Sequence, residues 1–201
     1  NNALRFLPFA PEILAATPTV GGGRLAEILL HQNPTLLQEL EGFVAGARGV
    51  QTLTGLSLFQ HAYDDQDPHS FARFLYQTPL SIAGLPGARP PSLLWTEGIG
   101  DSFVPNNATR SAARELGIPS VRRLRRSSPV LQEVDAPLSA NLAPDRTGGH
   151  FQYEPASTPG CGAGEEGHYC PQTAPLAQAQ RLHFFATALA GPAPEIVDPL
   201  P

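Results

Sequence analysis

At 201 residues the chain is long enough for one domain with its own core and short for two. An apolar share of 41% fits a globular protein, while 22 Pro and 19 Gly predict many turns and long connections. The net charge of -5 argues against a general nucleic-acid binder, which needs a basic surface, and the absence of any run of about 18 apolar residues predicts no membrane-spanning helix.

Residues 3–16 form a dense apolar run ending in Glu12-Ile13-Leu14-Ala15-Ala16-Thr17 before Gly21-Gly22-Gly23, which predicts a short buried strand leading into a glycine turn. From about 24 to 80, Leu25, Ile28, Leu29, Leu36, Leu37, Leu40, Phe43 and Val44 recur at helical spacing, so a helical insert is expected. Within it, Tyr63-Asp64-Asp65-Gln66-Asp67-Pro68 reads as a helix start, because carboxylates favour the positive end of a helix dipole and Pro is tolerated in a first turn. The same carboxylates make a poor Ca²⁺ site, since no glycine-turned EF loop follows them.

A proline-rich link, Leu85 to Pro91, leads to Ser92-Leu93-Leu94-Trp95-Thr96-Glu97, expected as a central strand buried on both faces. The chain then turns through Gly98-Ile99-Gly100-Asp101, Asn106 or Asn107 is expected to cap the next helix, and Gly117 to stop it. Arg122, Arg123, Arg125 and Arg126, with Val121 and Leu124 among them, read as a solvated strand or loop edge rather than a phosphate site. All 13 basic residues are Arg. Phe151-Gln152-Tyr153 is the candidate last strand, and a helix from about 174 to 190 is expected to carry Leu182, Phe185, Ala186 and Leu189 on one face. The fold class implied is α/β, a sheet of about three strands with helical layers.

In open α/β sheets a polar residue just after a buried strand is well placed for chemistry, and Asp101 is such a residue. The stretch Leu94-Trp95-Thr96-Glu97-Gly98-Ile99-Gly100-Asp101-Ser102-Phe103-Val104-Pro105, followed by Ala112-Ala113-Arg114-Glu115-Leu116-Gly117, resembles the acid-bearing segment of α/β-hydrolase fold esterases and lipases. The resemblance makes Asp101 the acid of a catalytic triad. It also implies the chain order nucleophile, acid, histidine, so the base lies after Asp101.

His150, His168 and His183 qualify by position. His183 sits inside the last helix and reads as a packing or surface residue. Gly149-His150-Phe151 and Gly167-His168-Tyr169 share the Gly-His-aromatic step found around the family's histidine. In the family that histidine stands on the loop between the last strand and last helix, which favours His168, with His150 as the alternative. Cys161 and Cys170 enclose eight residues, and a disulfide between them would hold the loop carrying His168 and imply an oxidising compartment. The alternatives are two free thiols or a zinc site, the latter disfavoured because structural zinc wants four ligands at tighter spacings.

No Gly-x-Ser-x-Gly elbow occurs; Gly55-Leu56-Ser57-Leu58-Phe59 lacks the second glycine and lies in the helical insert, so Ser57 is rejected as nucleophile. Leu7-Pro8-Phe9-Ala10-Pro11-Glu12-Ile13 resembles the family's segment just after the nucleophile helix. The chain has no Met and opens on Asn1-Asn2-Ala3. The expectation is therefore the C-terminal half of such a hydrolase, its nucleophile upstream and 24–80 forming a cap-like insert. What the resemblance implies is a secreted or cell-envelope bacterial protein acting on small-molecule or lipid esters, with no metal or organic cofactor; the alternatives are a non-catalytic binding module of the same fold and a hydrolase of another bond type, epoxide, haloalkane or peptide.

Overall fold

The computed structural model describes residues 3–33, 35, 38, 50–80, 89–161 and 166–201. Leu36, Leu37, Leu40, Phe43 and Val44 of the expected helical insert, and Leu85 to Ala88 of the link, lie outside the described residues.

The apolar run at 3–16 is largely helical instead of extended: α1 spans Ala3–Phe6 and a single 3-10 turn spans Leu7–Phe9. Leu4 and Leu7, three residues apart, bury together against Ala72 and Leu75, a spacing that one helical face satisfies and a strand does not. Strand β1 is confined to Ala15–Ala16, half-buried, with a further bridge from Thr19 to Thr96. The insert is helical where described, as α2 (Leu25–Gln32), α3 (Val50–Tyr63) and α4 (Pro68–Tyr76).

The acidic helix start serves two helices at once. Asp67 is fully buried; its carboxylate accepts from His69 N at 2.8 Å to cap α4, and from Arg24 N at 2.9 Å and Leu25 N at 2.7 Å at the start of α2. The Gln60 side chain adds a fourth donor at 2.7 Å. Orphan N–H groups of two helix termini thus share one acceptor.

Strand β2, Ser92–Gly98, is buried at every position. It pairs in parallel with β1 on one side and with β6, Gly148–Tyr153, on the other, Trp95 standing opposite His150 and Glu97 opposite Gln152. Beyond β6 come β3 (Ser120–Val121) and β4 (Glu133–Val134), which gives a five-stranded parallel sheet ordered β1-β2-β6-β3-β4. Strands β5 (Leu138–Ser139) and β7 (Glu195–Ile196) form a separate antiparallel pair. The α/β class is as expected, with more strands than the three foreseen; the additional ones are two residues long and too short to show a period.

Alternate side chains of β2 feed two cores. Leu93 and Trp95 pack with Leu4, Leu75, Ala112 and Leu116, the latter two from α5, Asn106–Leu116. Leu94 packs on the other face with Phe151, Tyr153, Ala177 and Phe184, the last two from α7, Pro175–Ala190, which follows the short α6, Cys170–Thr173. Helices on both faces explain why β2 reads as a continuous apolar run.

One helix expectation is corrected. Neither Asn106 nor Asn107 caps α5: the N-cap residue is Pro105, without a side-chain cap, while Gly117 does end the helix in the left-handed region at φ 74°. Helix α7 turns Ala177, Gln180 and Phe184 inward, leaving Leu182 at 70% and Leu189 at 82% exposure. Its two faces both carry apolar residues at helical spacing, and the inward one is chosen by Tyr153, whose hydroxyl donates to Gln180 Oε1 at 2.7 Å.

Candidate active site

The turn after β2 is braced by Asn106, which explains why that side chain does not cap its helix. Its Nδ2 donates to Gly98 O at 2.7 Å, and its Oδ1 accepts from Gly100 N at 3.0 Å. Asp101 follows, its side chain only 2% exposed, with Oδ1 accepting from Phe103 N and Val104 N at 2.8 Å each. The carboxylate is therefore fixed in direction by the backbone it leads, as an Asx turn fixes one.

His168 is brought to this carboxylate from across 67 residues: its Nδ1 lies 3.0 Å from Oδ2 and 3.2 Å from Oδ1 of Asp101. The imidazole is 23% exposed and stands beside the Phe103 ring, centroids 4.9 Å apart, and the Tyr169 ring at 5.4 Å. The predicted bridge between Cys161 and Cys170 is formed and encloses it. A neutral ring that donates Nδ1–H to Asp101 presents the lone pair of Nε2 outward, and among the described residues no side chain hydrogen-bonds that nitrogen.

His150 is placed differently. It lies in β6, fully buried, with Nε2 2.9 Å from Glu97 Oε2 and Nδ1 2.7 Å from Ser120 Oγ. Both ring nitrogens are engaged there and not with Asp101. The network continues through Arg110, which meets Glu97 Oε1 at 2.9 Å, and Gln152, whose Nε2 donates to Glu97 Oε2 at 2.9 Å. Burial pushes the Glu97 carboxyl upward, but the hydrogen bond and charge of His150 and the Arg110 guanidinium outweigh it, leaving the group below the usual glutamate range. Gln152 Oε1 also accepts from Arg125 N and Arg126 N at 2.9 Å each, which anchors the arginine loop. Sequence reading missed this cluster; its one signal was a charged residue inside a strand otherwise read as buried.

His183, on α7, pairs with Glu195 Oε2 at 2.8 Å near the surface. Ser57 is an exposed residue within α3. A cleft of about 480 Å³ opens beside Asp101, lined by His31, Ser102, Asn106, Arg110 and Arg126 among others. A larger one of about 730 Å³ lies in the helical insert between Glu27 and Leu30 on α2 and Leu56, Gln60 and His61 on α3. Among the described residues no three His, Cys, Asp or Glu side chains gather as a metal site, and no helix is long and apolar enough to cross a membrane. Comparisons with protein-family models, with curated proteins and with solved structures find no match for the chain.

Proposed function

We propose that Asp101 and His168 are the acid and base of a carboxylic ester hydrolase of the α/β-hydrolase kind that works through a serine nucleophile. The observation that carries this reading is the contact of Nδ1 with a buried, backbone-fixed carboxylate, while among the described residues Nε2 has no hydrogen-bond partner. That arrangement suits a base which takes the nucleophile's proton at Nε2, with Asp101 holding the ring and stabilising the imidazolium. The same proton then passes to the departing alcohol, and an acyl-enzyme is left for water to hydrolyse. No metal or organic cofactor is needed for these steps. The helical insert serves as a cap over the substrate, and the disulfide suits a secreted or cell-envelope location.

The experiment is covalent labelling of the intact protein by a fluorophosphonate, followed by mass spectrometry. One serine is expected to be modified in the wild type. His168→Ala should slow labelling by about a thousandfold or more, in line with the loss of a general base. A wild type that acquires no adduct contradicts the proposal.

A further inference from the structure

One carboxylate near the pair has no role in the scheme above. Glu166, two residues before His168, accepts a hydrogen bond at Oε1 from the main-chain N–H of Ser102, the residue after Asp101. The next two N–H groups, of Phe103 and Val104, go to Asp101 itself. Three consecutive donors of the acid turn are thus held by two carboxylates, one from each turn. The Glu166 carbonyl also accepts from Tyr169 N at 3.1 Å and Cys170 N at 3.4 Å, so the histidine turn is wound about the same residue.

The other side-chain oxygen, Oε2, is buried and has no hydrogen-bond partner among the described residues. An unsatisfied carboxylate oxygen is costly, and a glutamine would receive the Ser102 N–H without carrying that charge.

We infer that Glu166 is a positioning residue for the Asp101–His168 pair, clamping the histidine turn onto the acid turn through the Ser102 N–H. The inference rests on the reading of that pair as acid and base. Among the described residues, the other titratable or charged groups nearby are the Tyr169 phenol beside the ring, and Arg110, Arg126 and His31 in the cleft on the Asp101 side. Arg110 is already paired with Glu97.

Nuclear magnetic resonance of the intact protein tests this without requiring turnover. In the wild type the His168 Nδ1 proton should appear far downfield and protected from exchange. Glu166→Gln keeps an acceptor for Ser102, so the resonance should persist. Glu166→Ala removes the acceptor, so the resonance should be lost. Circular dichroism confirms folding of both, and the near-isosteric glutamine variant keeps the test open if the alanine variant unfolds. A wild-type resonance in folded Glu166→Ala, or its loss in folded Glu166→Gln, overturns the inference while leaving the pair intact. Absence of the downfield proton from the wild type overturns the reading of the pair itself.

Discussion

The carbonyl oxygen of Gly167 lies so close to Gly98 that a β-carbon on Gly98 would stand 1.7 Å from it. The reverse also holds: a β-carbon on Gly167 would meet Ile99 O at 2.5 Å and Asp101 N at 2.6 Å. Backbone therefore packs directly on backbone where the histidine turn crosses the acid turn, and the approach of Nδ1 to Oδ2 depends on it. Gly98→Ala and Gly167→Ala should each cost about 2–3 kcal/mol through forced displacement, read from the urea midpoint. Each should also remove the downfield His168 proton. An alanine variant that keeps both would show that the turns tolerate separation.

Asp67 caps two helices from one buried carboxylate. Asp67→Ala should destabilise the chain by about 3 kcal/mol, two lost caps with buried donors left unpaired. Loss of helical signal should accompany the shift, since α2 and α4 both begin there. A change under about 1 kcal/mol, the size of a single exposed cap, would contradict a shared role.

Glu97 sets a pH dependence. Its folded carboxyl titrates below the usual range, because His150 and Arg110 outweigh its burial. A depressed group contributes stability fully above the unfolded glutamate value of about 4.3, and that contribution disappears as pH falls through the folded value. Denaturation midpoints should therefore drop on acidification below about pH 4.3, and Glu97→Gln should lack that component. At neutral pH the same variant should be about 3 kcal/mol less stable, because it strands the Arg110 charge in a largely buried site.

Reduction of the Cys161–Cys170 bridge, or Cys161→Ser with Cys170→Ser, should cost about 2–3 kcal/mol from the short loop it closes. Thermal unfolding with and without reductant measures this. The downfield His168 proton should weaken in parallel, since His168 lies between the two cysteines.

The strand and turn from Leu94 to Asp101 were legible because a buried parallel strand leaves a continuous apolar run and glycine marks its end. Gly117 was legible for a similar local reason. Asn106 was misread as a cap because an amide beside a helix start has two uses, and only the position of the Gly98–Gly100 turn decides between them. The Glu97 cluster draws its partners from Arg110, Ser120, His150 and Gln152, so nothing within one window of sequence joins them. Leu182, Phe185 and Leu189 stand on one face of α7 as their spacing indicates, and that face is the outward one. A Gln at the buried position 180 is intelligible only once Tyr153 is seen against it.

The most direct measurement is hydrolysis of short- and long-chain acyl esters by the intact protein, comparing the wild type with Asp101→Asn, His168→Ala and His150→Ala, each checked for folding. The account predicts ester turnover that falls at least a hundredfold in kcat in Asp101→Asn and His168→Ala, and survives in whatever fraction of His150→Ala folds. Full activity in His168→Ala, with none in folded His150→Ala, would contradict it.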